Sequence, residues 1–223
     1  MKLSIVTAMC GRSDVTKEWL ATTVGNAITK PEVVVVHNGS TREEMAEIGY
    51  LLQQYSETGG AHATIDLEKP VGSTKAFNVG VSLSHGEYLA LLHNDLMVKE
   101  VGWDVKLIDF LDRHHEAGVI GFHGALALGA NNIYQVPYEL HQLARAHCYS
   151  NLEDAENHGQ RIDIPTECIV VDGMAICCRR SDWNTWGGLD ESYIHHMYDN
   201  DLCVTAAYSG KRNYILPVIA RHV

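Results

Sequence analysis

Apolar and polar positions fall into blocks along the first hundred residues, and the blocks switch between two periods. LSIVTA (residues 3–8) is an apolar run closed by the turn GRSD. Beyond it Val15, Trp19, Thr23, Val24, Ala27 and Ile28 recur at helical spacing until Pro31 stops the pattern. Ser13 or Asp14 is the expected cap of that helix. VVVV (33–36) has no polar position, as suits a strand covered on both faces. HNGST then opens a helix marked by Met45, Ile48, Leu52 and Tyr55, with Ser40 or Thr41 as its cap. ATIDL (63–67), a helix over 74–84 and EYLALL (87–92) continue the series. Such alternation predicts an α/β fold with a mixed, mainly parallel central sheet flanked by helices.

The second half is less regular. A helix near 103–114 and a strand GVIGF (118–122) are followed by residues 123–167, where Tyr134, Tyr138, His141, His147, Tyr149 and His158 stand among polar residues without a sustained period. A stretch that long is expected to be a functional insertion. IVVDGMAICC (169–178) reads as one strand or two, WGGLDESY as a turn, DLCVTAAYSG as a helix ending at Gly210, and NYILPVIA as the last strand, with Arg221 and His222 just beyond.

Composition narrows the class. With 223 residues, 46% of them hydrophobic, the chain suits one domain with an ample core. Its 17 basic and 28 acidic residues leave a formal charge of −11, which repels polyanions on average and argues against general coating of nucleic acid. No apolar run approaches the roughly 20 residues of a membrane span, and MKLSIVTAMC is too short in its apolar part for a signal peptide. Six cysteines include no CxxC pair. They fit reduced thiols in a cytoplasmic protein, with Cys177 and Cys178 on opposite faces of one strand.

Chemistry gathers where the fourth strand ends. His93, Asn94 and Asp95 interrupt LALLHNDLMV at a carboxyl strand end, the edge at which open α/β sheets bind ligands. Four segments, taken in order, then resemble one family: VVVVHNGST, KAFNVGVSLSHGEYLALLHND, WGGLDESY and YDNDLCVTAAYSGKRNYILP are similar to the V-D-N-G-S-T/D, A-x-N-x-G with D-x-D, G-G-F-D-E and E-D-x-D-L blocks of inverting, family-2-type glycosyltransferases. The resemblance runs from Leu3 to His222 and implies a single Rossmann-like domain of the GT-A nucleotide-diphospho-sugar type. Residues 1–98 would bind the nucleotide-sugar and residues 99–223 would hold the acceptor and the catalytic group.

The resemblance implies a nucleotide-diphosphate-sugar donor, a UDP-sugar by preference, and a divalent cation, manganese before magnesium, at the departing diphosphate. Asp95 is its implied ligand. His93 stands where the family usually has the first aspartate, and serves as a ligand or a nucleoside contact. His222 is the implied third ligand. Thr7, Arg12, His37, Asn38, Gly39, Asn78 and Asn94 border the implied donor site, His37 replacing an aspartate that helps read the base. Asp199 matches the aspartate of the E-D pair and is the implied base, Tyr198 replacing the glutamate; a carboxylate at a helix mouth can also simply cap it. Asp172, Gly173, Trp186, Gly188, Asp190 and Glu191 are the implied acceptor side.

Three other readings stay in play. A sugar nucleotidyltransferase shares the architecture, although TAMCGRSD lacks a Gly-rich basic loop, and a nicotinamide-binding enzyme would show GxGxxG after the first strand. A catalytically degenerate nucleotide- or glycan-binding domain would account for His37, His93 and Tyr198. The expected acceptor is a glycan or other soluble hydroxyl compound. A hydroxymethylated base in DNA is the minority reading, with Arg145, Arg161, Arg179 and Arg180 as its possible phosphate contacts.

Overall fold

The computed structural model describes residues 2–125, 148–150 and 161–223. Of the insertion named above, Tyr134, Tyr138, His141, Arg145, His147 and His158, together with the Tyr149 side chain, lie outside the described residues.

The first four strands, β1 (Leu3–Met9), β2 (Glu32–His37), β3 (Ala61–Asp66) and β4 (Tyr88–Leu92), are parallel and joined by α1 (Ser13–Trp19), α2 (Arg42–Glu57) and α3 (Ser73–Leu83). After them come β5 (Leu96–Val98), α4 (Trp103–Arg113), β6 (Ala117–Gly121), β7 (His123–Ala125), β8 (Cys148–Ser150), β9 (Thr166–Cys168) and β10 (Val170–Val171). The described elements close with β11 (Ala175–Arg179), α5 (Arg180–Trp186), α6 (Tyr198–Tyr208), β12 (Arg212–Ile215) and β13 (Ala220–His222).

One sheet of eight strands runs in the order β3-β2-β1-β4-β11-β6-β12-β9. β11 is antiparallel to β4 and to β6, and β9 is antiparallel to β12, so the sheet is mixed. β1 leads outward to β2 and β3, and the chain then returns to β4 on the other side of β1. That reversal creates a switch point at the carboxyl ends of β1 and β4. The apolar runs explain the burial. Val33 and Val35 join the core on one face of the sheet and Val34 the core on the other, each worth about 1.5–3 kcal/mol when fully buried.

Some expectations are corrected and others hold. α1 is regular only to Trp19 and continues as a π-helical turn over Leu20–Val24, so the apolar stripe stops short of Ile28, which is 58% exposed. Neither Ser13 nor Asp14 caps α1; Arg12 occupies the cap position in left-handed backbone at φ 57°, without a side-chain cap. Thr41 does cap α2, in a reciprocal box with Glu44. The run 169–178 is two strands, β10 and β11, parted at Asp172–Met174. The last predicted strand also divides, because β12 ends at Ile215 and β13 turns away to pair antiparallel with β5. The π-helical turn seats that small ribbon: Thr23 Oγ1 donates to the Leu96 carbonyl at 2.8 Å and accepts from the Val98 amide at 2.9 Å.

Candidate functional site

The two outer ligand candidates meet because of the ribbon. Pairing of His222 with Leu96 carries its imidazole to the Asp95 carboxylate, with Nε2 at 3.1 Å from Oδ1. His93 approaches from the end of β4, its Nδ1 at 3.9 Å from the same oxygen. One ligand atom from each of His93, Asp95 and His222 lies within 4.8 Å of the others. Two imidazoles and a carboxylate at that spacing fit a divalent cation that accepts nitrogen as well as oxygen, the chemistry of manganese more than of magnesium.

His93 is oriented from behind. Its Nε2 lies 3.0 Å from the Tyr198 hydroxyl, which is itself placed to donate to the Gly173 carbonyl at 3.4 Å. With Nε2–H donating to Tyr198, the Nδ1 lone pair is left toward Asp95, the usual role of an outer hydrogen-bond partner at a metal-binding histidine. Phe77 stacks on the His93 ring with 9° between planes. Burial holds the His93 imidazole below its ordinary pKa. His222 is raised by its hydrogen bond to Asp95. For Asp95 burial acts upward, but the His222 bond and the two imidazoles outweigh it and the carboxyl is lowered.

A cleft of about 190 Å³ opens beside this cluster, lined by His93, His123, Asp172, Gly173, His195 and Asp199 among others. Asp199 lies in the first turn of α6, entered through Met197 in left-handed backbone at φ 71°. Its Oδ2 accepts from the Gly173 amide at 2.8 Å and its Oδ1 from the Asn200 amide at 2.9 Å. Gly173 is required by this approach, since a Cβ there would stand 2.6 Å from the Tyr198 hydroxyl oxygen. The two acids of the cleft are pushed apart. Burial raises Asp199, helped by the charge of Asp172. Asp172 is also driven upward by burial, but His123 and the Met174 amide reverse the shift and bring it down to about 2.

The remaining residues named from the sequence are spread along this edge and beyond. Thr7 is fully buried in β1, and His37 ends β2 at 3% exposure; Thr7 Oγ1 and His37 Nδ1 have no hydrogen-bond partner among the described residues. Burial lowers the His37 pKa, so its ring is neutral near pH 7. Asn38 accepts from the Val71 amide at 2.8 Å. Gly39 is hemmed by Pro70, whose Cγ a Cβ would meet at 2.7 Å. Arg12 is exposed and pairs with Asp14 at 3.2 Å, and Asn94 donates to Thr16 at 2.9 Å.

Asn78 clamps the turn after α5, donating to the Leu189 carbonyl at 2.8 Å and to Glu191 at 3.1 Å and accepting from the Leu189 amide at 3.0 Å. Gly188 turns there at φ 82°, and Asp190 accepts from the Ser192 amide at 2.9 Å. Trp186 donates to Ser209 at 3.0 Å, at the opposite end of α6 from Asp199. Ten residues of helix separate those ends by roughly 15 Å, so Trp186 stands away from the cleft. His123 and the orienting Tyr198 are the participants that the sequence pattern did not single out as site residues.

Residues 4–186 match the family described as Glycosyl transferase family 2, well over half of the chain. The chain belongs to that family. Asp199 and His222 lie beyond the matched span and are tied to the site by the fold. No curated protein matches the chain by sequence.

Among solved structures this family member is similar to the mannosyltransferase PcManGT of Pyrobaculum calidifontis in complex with GDP-Man and Mn2+, at 15% identity and TM-score 0.68, over 98% of this chain and 56% of that one. It is also similar to GalNAc-T7 with UDP, GalNAc and Mn2+, at 13% identity and TM-score 0.72, over 100% of this chain and 44% of that one. TarS residues 1–349 of S. aureus with UDP-GlcNAc match at 16% identity and TM-score 0.64, over 99% of this chain and 58% of that one. The chain spans about half the length of these structures, and at such identity the likeness establishes the GT-A fold. No helix among the described residues is long and apolar enough to cross a membrane.

Proposed function

We propose that this family 2 member transfers a sugar from a nucleotide-diphosphate donor, a UDP-sugar by preference, to an acceptor hydroxyl with inversion at the anomeric carbon. The observation that carries the reading is the placement of His93, Asp95 and His222 beside a cleft that also holds Asp199. A divalent cation held by His93, Asp95 and His222 would neutralise charge gathering on the departing diphosphate.

Inversion needs a base on the acceptor side, and the two carboxyls divide the work. A base benefits from a pKa drawn toward the working pH. Asp199, raised by burial, suits the removal of the acceptor proton, while Asp172, lowered to about 2, stays ionised and is a poor base. The Gly173 and Asn200 amides fix the Asp199 carboxylate without filling all its lone pairs. Tyr198, pushed well above the ordinary phenol range by burial, stays protonated and keeps His93 aimed. Neutral His37 offers a ring nitrogen that can pair with a nucleobase N–H or carbonyl. Five free cysteines among the described residues suit a reducing cytoplasm.

The test is a panel of UDP-, GDP- and dTDP-sugars with manganese, scored by release of nucleoside diphosphate with and without methyl glycosides as acceptors. Release from one donor that is stimulated by a glycoside and stopped by chelator supports the reading. Tight nucleotide binding without release from any donor would make the chain a binding domain instead.

A further inference from the structure

The segment between Leu189 and Met197 is fastened along α3, and it ends in a histidine that neither the cation nor the base accounts for. Asn78 holds its start, donating to the Leu189 carbonyl at 2.8 Å. One turn nearer the amino end of α3, Thr74 donates to the Ile194 carbonyl, from its amide at 3.5 Å and from its hydroxyl at 3.4 Å. Gly72, at φ 87°, makes room for that crossing, since a Cβ there would stand 2.7 Å from the Ile194 carbonyl oxygen. His195 comes next, with its Nδ1 at 3.3 Å from Ser73 Oγ.

α3 also relates this histidine to the cation cluster. Ser73 and Phe77 stand one turn apart on the same side of the helix, with about 5–6 Å between such Cβ atoms. Phe77 stacks on the His93 ring. The residue that ties down His195 is therefore the helical neighbour of the one that covers a cation ligand. His93, His195 and Asp199 line one cleft. When the Ser73 hydroxyl donates to Nδ1, the ring proton sits on Nε2, and Nε2 has no hydrogen-bond partner among the described residues. His195 is exposed, so that N–H is open to a ligand.

Charge says which part of a donor needs it. The carboxylates of Asp172 and Asp199 line the cleft and repel an anion, so a phosphate seated there calls for hydrogen-bond donors as well as a cation. In a nucleotide-sugar the second phosphate carries the sugar. It must lie between the cation and the acceptor oxygen that Asp199 would activate, which is the space this cleft spans.

We propose that His195 donates from Nε2 to the sugar-bearing phosphate of the donor, and that Ser73 positions its ring for that bond. The inference rests on reading this cleft as the site of a nucleotide-sugar transferase, and it names the residue that meets the leaving group. In the transfer the acceptor oxygen bonds to the anomeric carbon and gives its proton to Asp199. The bond from that carbon to the phosphate oxygen breaks, and the oxygen keeps the electron pair. The His195 N–H strengthens its hydrogen bond as this charge develops and keeps its proton.

The experiment measures binding by calorimetry in the presence of manganese, for UDP and GDP, for UMP and GMP, and for inorganic pyrophosphate. Wild type, His195→Ala, His195→Gln and Ser73→Ala are compared. The monophosphates lack the second phosphate and so report nucleotide recognition without the proposed contact. His195→Ala should weaken diphosphate and pyrophosphate binding by roughly 10- to 100-fold, the size of one lost hydrogen bond to a charged group, and leave monophosphate binding unchanged. His195→Gln keeps an N–H donor and should restore part of the loss. Ser73→Ala should show the same pattern at smaller size.

Equal losses for diphosphates and monophosphates would make His195 structural and overturn the inference. Diphosphate binding unaltered by His195→Ala would overturn it too, and a rise in acceptor KM alone would move His195 to the acceptor. Those results leave the transferase reading standing. Wild type that binds neither a diphosphate nor pyrophosphate removes both. Pyrophosphate binding that His195→Ala weakens, in a chain that releases no nucleoside diphosphate from any sugar nucleotide, sustains the phosphate contact and sinks the transferase reading.

Discussion

Replacement of Asp199 by Asn separates base from scaffold. In the native chain its two oxygens each accept one amide, from Gly173 at 2.8 Å and from Asn200 at 2.9 Å. Asn in the same pose has one accepting oxygen, so one of those amides loses its partner, at about 1–3 kcal/mol of stability. An opposing effect comes from charge. The folded-state carboxyl is raised above its unfolded value, so its ionisation opposes folding as pH rises through the folded value, and Asn removes that opposition. The net loss of stability should therefore be modest at neutral pH. Turnover should fall by about 10²- to 10⁴-fold, the usual worth of a positioned base, or about 2.7–5.4 kcal/mol of barrier.

A base acts on the acceptor proton in the transition state and not in donor recognition, so the affinity for nucleoside diphosphate, measured by calorimetry with manganese, should hold. The wild-type rate should climb with pH through the raised Asp199 value, and that acid limb should vanish in Asp199→Asn. Parallel loss of donor affinity and turnover would refute the assignment, as would a variant keeping more than about a tenth of wild-type kcat.

Four further outcomes are expected. Asp95→Ala should abolish manganese-dependent nucleotide binding and His222→Ala should weaken it more mildly; full activity in excess chelator would exclude the cation. Glu32 is buried at the start of β2 and accepts from Ser4 at 2.6 Å and from the His85 amide at 2.7 Å. Burial acts upward on its pKa, but these bonds outweigh it and lower the carboxyl. Its stabilisation is therefore present above the ordinary value of 4.5 and lost as pH falls through the lower folded one, so Glu32→Gln should cost about 1–3 kcal/mol at pH 7 and flatten the acid decline in urea titrations. Gly173→Ala places a methyl 2.6 Å from the Tyr198 hydroxyl oxygen and should cost about 1–3 kcal/mol by overpacking. Gly49→Ala in α2, where a Cβ meets nothing within 4 Å, should raise stability by about 0.5–1 kcal/mol; both are read as shifts in denaturation midpoint.

The parts legible in the sequence were those governed by period. Val33–Val36 and Leu89–Leu92 are wholly apolar because helices cover both faces, and that pattern survives without knowledge of neighbours. His93 and Asp95 stood out because they fall at the carboxyl end of such a run, the edge at which open α/β sheets bind ligands. Pieces decided by tertiary contact were not legible. β5 and β13 have three residues each, too few for any period, and each is a strand only because the other pairs with it. Asn38 and Asn78 look like ligand contacts by residue type, yet their amides hold neighbouring loops. His123 follows a strand as one polar residue before an irregular stretch, and only its pairing across to β10 gives it a partner in Asp172. One signal was available: His93 and Tyr198 depart together from the family pattern, and the two side chains touch.

The ribbon that delivers His222 makes the proposed cation site a two-part assembly. Its third ligand arrives from 127 residues away along the chain, on a strand fastened to β5 by three register pairs and by the Val223 amide on the Asp95 carbonyl at 3.0 Å. Apparent affinity for the cation is then the intrinsic affinity scaled by the fraction of molecules with that strand docked. Each 1.4 kcal/mol taken from docking costs about tenfold once undocking dominates. Thr23, which never approaches the cation, becomes a tuning residue through its grip on Leu96 and Val98. The coupling is reciprocal, since a bound cation must hold the strand down by the same factor. Metal loading should accordingly be readable far from the ligands' own chemistry, as slower amide exchange along residues 220–223.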